Sequence, residues 1–88
     1  MKDLLFAVFD VKMKMFMAPF VGRNVDSALR QFSDVCSREG PFQKHPEDYV
    51  LYEIGTFGIE SGIVFSITPH VVGKALDFIS TAPVKEVV

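Results

Sequence analysis

The chain has 88 residues, 49% of them apolar, and a formal net charge of −2. That describes one globular domain, residues 1–88, and excludes a strongly basic nucleic-acid binder. Its single cysteine, Cys36, excludes an intramolecular disulfide framework, and no apolar run is long enough to span a bilayer. The expected setting is a reducing cytosol, away from membranes. Residues 1–44 carry seven Lys/Arg against five Asp/Glu, whereas residues 45–88 carry two against six. Any nucleic-acid site must therefore be a local patch.

Residues 4–11, LLFAVFDV, are apolar on both alternating faces until Asp10, as in a strand covered on both sides. Residues 13–20, MKMFMAPF, predict a second strand. If it is extended, Met13, Met15 and Met17 lie on one face, and Lys12, Lys14 and Phe16 on the other. Pro19 marks the end of pairing or an edge position. Asn24 is a suitable helix cap. Val25, Ala28, Leu29, Phe32, Val35 and Cys36 then form one helical stripe, predicting a helix over about 25–39 that faces the sheet. Gly40 and Pro41 stop it.

Residues 40–48 carry two prolines and predict a loop. Tyr49 to Phe57 is rich in aromatic and β-branched residues and predicts a strand. A Gly-bounded turn at 58–62 leads to a return strand over 63–68, which Pro69 is expected to end. The apolar tail from Val71 to Ile79 approaches helical spacing, with Gly73 against it. The expected fold is α+β: an antiparallel sheet of about four strands in ββαββ order, one main helix on one face, and a short apolar C-terminal segment. With nine Phe and four Met in so short a chain, some large side chains are expected at an interface. A homodimer is the simplest cover for the second sheet face. Its expected interface draws on Met13, Met15, Met17, Tyr49, Leu51 and Phe65.

Chemistry finds little support. His45, Glu47 and Asp48 sit close in sequence, with His70 far away, but they lack zinc-ligand spacing and read as a solvated loop. Cys36 sits in the apolar stripe and reads as a small core residue. No serine has a nucleophile-elbow context, and Gly55, Gly58 and Gly62 do not form a phosphate-cradling loop. No catalytic residue, metal or cofactor is expected, and the chain is not expected to be an enzyme. Two features could meet nucleic acid. Lys12, Lys14 and Phe16 combine phosphate attraction with base stacking, although lysines on an edge strand also prevent aggregation. The second is Arg23, Arg30 and Arg38, on and beside the helix, and Arg23 extends the path of the first. Arg30 is flanked by Asp26 and Asp34, which are placed to neutralise it.

Several segments carry a family resemblance: FAVFD at 6–10, MAPF at 17–20, NVDSALRQF at 24–32, and above all PFQKHPEDYVLYEIGTF at 41–57, with Thr68-Pro69 following. Through them the chain resembles the small nonstructural protein of gokushovirus-type microviruses, phages with single-stranded DNA genomes. The resemblance implies a protein of the bacterial host cytoplasm. It implies DNA binding, and a role in single-stranded genome replication or the switch to genome synthesis. On that basis Lys12, Lys14, Phe16, Phe20 and Arg23 are the expected DNA contacts, and host or phage replication proteins are possible partners. The alternative is a homodimeric protein-interaction module that touches no nucleic acid.

Overall fold

In the apolar run at the N-terminus every residue has a backbone donor and acceptor to satisfy, and a strand paired on both sides satisfies them. The computed structural model describes residues 1–78 and places that run, β1 (Lys2–Asp10), inside a five-stranded antiparallel sheet. β4 (Tyr49–Gly58) pairs with its full length on one side. On the other side two short strands share it: β2 (Met15–Phe16) beside Phe9 and Asp10, and β3 (Phe20–Gly22) beside Leu4 to Phe6. β5 (Val64–Lys74) pairs with β4 and forms the outer edge.

One helix, α1 (Val25–Ser37), covers one face of this sheet. Asn24 caps it, its Oδ1 accepting from Ser27 N at 2.8 Å. Phe6 and Val8 of β1 and Leu51 of β4 pack with Ala28, Phe32 and Cys36 of α1. A short helix α2 (Pro41–Lys44) adds Phe42 to this core, and a 3-10 turn (Ala75–Phe78) adds Ala75. Gly22 lets β3 approach the helix. A Cβ there would stand 3.0 Å from the Phe6 ring and 3.3 Å from Ala28 Cβ.

The α+β class and the single covering helix agree with the expectation from sequence, and the differences have local causes. The predicted second strand is broken. Val11–Lys14 form a tight turn, with Lys14 in the left-handed region at φ 58°. Asp10 holds this turn, its Oδ1 accepting from Met13 N at 3.0 Å and its carbonyl from Lys14 N at 2.8 Å. After Met17, whose N–H donates to the Val8 carbonyl at 2.8 Å, the chain leaves the ladder at Ala18 and Pro19, so one strand becomes β2 and β3, and four strands become five. Residues 40–48 are not irregular throughout: Pro41 starts α2 and Pro46 starts a 3-10 turn (Pro46–Asp48), where a missing N–H costs nothing.

Pro69 does not end β5. An outer strand tolerates proline, and the register shifts between Glu53 and Gly55 so that β5 bulges past residues 67–69. The expected helical tail is instead the last stretch of β5 and a 3-10 turn, and Ile79 lies outside the described residues. Within α1, Ala28, Phe32 and Cys36 are buried, Val25 and Leu29 are partly buried, and Val35 is 44% exposed. Val35 stands at the edge of the stripe, where the sheet no longer reaches it.

Phe32 is 3% exposed and meets the rings of Phe42 and Phe78 at 6.0 and 5.9 Å. Phe32→Ala is expected to cost about 3–5 kcal/mol in urea unfolding. Burial also pushes the Cys36 thiol up from its ordinary 9.0 to about 11. The folded state holds this proton more tightly than the unfolded one. Its contribution to stability is therefore complete below about pH 9 and falls as pH rises towards 11. Cys36→Ala should remove that part of the alkaline decline, as read from melting temperature against pH. In the wild type, a disulfide reagent at pH 8 should modify Cys36 only after denaturation.

Candidate functional site

The residue pairing across the sheet defines a second face, opposite α1. Side chains directly opposite in an antiparallel ladder share a face. Phe16 lies opposite Phe9, Phe9 opposite Val50, and Val50 opposite Lys74. In the next row on that face, Ala7 lies opposite Tyr52 and Tyr52 opposite Val71. Because Phe6 and Val8 point into the core, Ala7 and Phe9 must point away from it.

Three rings cluster there. Phe9 and Phe16 are 4.9 Å apart, Phe16 and Tyr52 5.3 Å, and Phe9 and Tyr52 6.1 Å, all edge to face. Phe16 is 43% exposed, and Phe9 and Tyr52 are partly buried. Edge-to-face packing holds the rings in place without covering them. The exposed lysines 12 and 14 occupy the turn that joins Phe9's strand to Phe16's. The result is an aromatic platform, two of whose strands are joined by a turn that carries two cations.

The carboxylates near this turn lie on the other side. Asp10 pairs with Tyr49, in the same alternation as Val8 and Leu51, and so belongs to the helix face. Val11 N donates to the Asp48 carbonyl at 2.8 Å, tying the turn to the 3-10 segment. The Tyr49 phenol is held above its ordinary range, first by burial and then by Asp10 and Asp48. Asp10 thus lies on the side of its strand opposite Phe9, while its carboxylate reaches Met13 N in the lysine turn.

The expected contacts divide accordingly. Lys12 and Lys14 do not share a strand face with Phe16: they lie in the turn that leads into Phe16's strand. Phe20 does not join them: it lies opposite Phe6 and stacks on it at 5.8 Å, on the helix face. Arg23 stands beside Asp3 at the far end of β1, roughly 20 Å from Phe9 by strand rise. Its Nε is 2.9 Å from Asp3 Oδ1, an ion pair without hydrogen-bond geometry, so its charge is already compensated. Asp26 and Asp34 form no ion pair with Arg30 among the described residues.

Of the expected interface residues, Leu51 is 0% exposed and is a core residue, unavailable to a partner. Tyr49 stacks on Phe42 at 4.3 Å beside that core. Met13, Met15 and Met17 are exposed; Met13 is in the turn, whereas Met15 lies opposite Asp10 and Met17 N donates to the Val8 carbonyl at 2.8 Å, which puts both on the helix side of the sheet. Met17 borders an apolar groove of about 290 Å³, between α1 and the segment before β3, with Val8, Phe20, Phe32, Val35 and Phe42. Phe65 is 56% exposed on β5. The ligand atoms of His45, Glu47 and Asp48 lie within 4.8 Å of one another, which the 3-10 turn brings about by itself. His70 is elsewhere, 3.3 Å from Glu53.

A family model described as Phage ORF5 protein matches residues 3–78. The chain belongs to the Phage ORF5 protein family. The match runs from β1 to the 3-10 turn ending at Phe78, so in this Phage ORF5 protein the platform strands all fall inside it. No curated protein and no solved structure matches the chain. No helix among the described residues is long and apolar enough to cross a membrane.

Two platform residues of this Phage ORF5 protein escape a linear reading. Phe9 belongs to a run that is apolar at every position, which hides its face. Tyr52 is 36 residues from Phe16 and reaches it only because β1 lies between their strands. Alternation from Leu51 was the available signal for Tyr52.

Proposed function

We propose that this protein is a non-enzymatic nonstructural protein of gokushovirus-type microviruses that binds single-stranded DNA on the face of the sheet opposite α1. Its role would lie in replication of the single-stranded phage genome, or its switch to genome synthesis, in the bacterial host cytoplasm. The carrying observation is the cluster of Phe9, Phe16 and Tyr52 beside Lys12 and Lys14. Membership of a phage family supports the setting, as does the resemblance of residues 41–57. Unpaired bases expose π-faces that stack on aromatic rings, whereas a duplex hides them, so an aromatic platform favours single strands. Two lysines supply phosphate attraction where the net charge of −2 cannot.

A second reading is a protein-interaction module that engages host replication or phage assembly proteins. The apolar groove bordered by Met17, Val35 and Phe42 favours it, because exposed methionine adapts to varied apolar partners.

Fluorescence anisotropy with a labelled oligothymidine, titrated at several salt concentrations, separates the two. The wild type should bind with a salt-dependent affinity. Lys12→Ala with Lys14→Ala should reduce the salt slope by about 1–2 units, roughly one per lost phosphate contact. Phe16→Ala and Tyr52→Ala should each weaken binding by about 1–3 kcal/mol with little change in slope. Phe20→Ala and Arg23→Ala should leave the slope unaltered, because one faces the core and the other is paired with Asp3. A double lysine variant that binds like its parent would remove the platform as the site. Absence of any salt-sensitive binding would favour the protein-interaction reading.

A further inference from the structure

The outer strand β5 is hydrogen-bonded only to β4 among the described residues. Gly58 N donates to the Ile63 carbonyl at 2.8 Å. By alternation, Ile63 and Phe65 turn their polar backbone groups towards β4, while Val64 and Ser66 turn theirs to the open edge. β4, ten residues long, spans roughly 33 Å. α1, thirteen residues long, covers only roughly 20 Å. The far part of the β4–β5 hairpin therefore outruns its helix, and Ile63, Val64, Phe65 and Ile67 are all exposed.

Sheet edges are normally guarded by charge, proline, a bulge, a covering element or a very short strand. β5 has Pro69 and the bulge at residues 67–69, but no Lys, Arg, Asp or Glu occurs between Glu60 and Lys74. The uncharged, β-branched and aromatic stretch 63–67 is a template for another strand. The charges that bound it have opposite signs, Glu60 at the hairpin tip and Lys74 at the other end of β5.

We propose that a second copy of this chain covers the edge, with β5 pairing antiparallel to β5 about a twofold axis normal to the sheet. An antiparallel edge is complementary to itself under that symmetry. A pairing centred on Ile67, where the bulge begins, sets Ser66 against Thr68 and brings the hairpin-tip turn that carries Glu60 in each copy towards the Lys74 end of the other. Glu60 already holds the Met1 ammonium at 3.0 Å, and its carboxylate has acceptor capacity for both. The opposite ends attract twice, and the uncharged stretch between them is removed from water. The same axis leaves both aromatic platforms on one side of a continuous sheet. The pairing itself does not rest on the nucleic-acid reading.

The test is the mass of the full chain by sedimentation equilibrium at micromolar concentration, with no nucleic acid present. The expected result is twice the chain mass of 9.8 kDa. Ser66→Pro, which removes an edge N–H, and Val64→Lys, which charges an exposed position, should each return the monomer mass. Val64→Lys should do so with an unchanged far-UV spectrum. Glu60→Lys alone and Lys74→Glu alone should each weaken the dimer about tenfold. The two reversals together should restore it. A monomeric wild type, or dimers that survive Val64→Lys, would overturn the pairing. Failure of the double reversal to restore the dimer would overturn the proposed register. Because DNA is absent, a negative result here is distinct from failure to bind an oligonucleotide.

Discussion

β1 takes backbone hydrogen bonds from both sides, from β4 along its whole length and from β2 and β3 in succession. A strand in that position cannot rotate, because a slip of one residue would invert every side chain. Phe6 and Val8 are thereby committed to the core beneath α1, and Ala7 and Phe9 to the opposite face. The rest of the molecule follows from this division. Phe20 reaches the core because β3 pairs at Phe6, and Phe16 reaches the open face because β2 pairs at Phe9. Between them Ala18 and Pro19 leave the ladder, and one apolar stretch serves both faces.

The same constraint bears on the proposed polyanion site. Asp10 does two tasks. Its carboxylate and carbonyl hold the Lys12–Lys14 turn, and, after burial, its charge and that of Asp48 raise the Tyr49 phenol. The lysines occupy the turn that leads into Phe16's strand, and local potential differs from net charge. The apolar groove on the helix side borders the same Met15–Pro19 segment from the other direction. The two readings of function therefore concern opposite faces of one molecule and are separable by mutation.

β5 departs furthest from expectation. It continues through Pro69 by bulging and outruns the helix, so its large side chains have no cover among the described residues. Gly55 belongs to this arrangement: a Cβ there would collide with the Phe65 carbonyl, so only glycine lets β4 and β5 approach at the register shift.

The sequence by itself determined what depends on nearest neighbours. The 3-and-4 spacing of Ala28, Phe32 and Cys36, with Asn24 before it and Gly40 after, settled the helix and its buried face. The aromatic and β-branched runs settled β1 and β4. Elements whose form depends on a partner were not legible. Whether residues 13–20 make one strand or two is decided by where β1 offers free backbone groups. Whether Pro69 ends β5 is decided by its place at the edge. Leu51 reads as an interface residue until α1 is seen to lie over it, and Tyr52 joins Phe16 only across β1. Pairing between distant strands has no local periodicity to announce it, because its register is set by burial on one face. Tertiary structure alone therefore decided which aromatics share a surface.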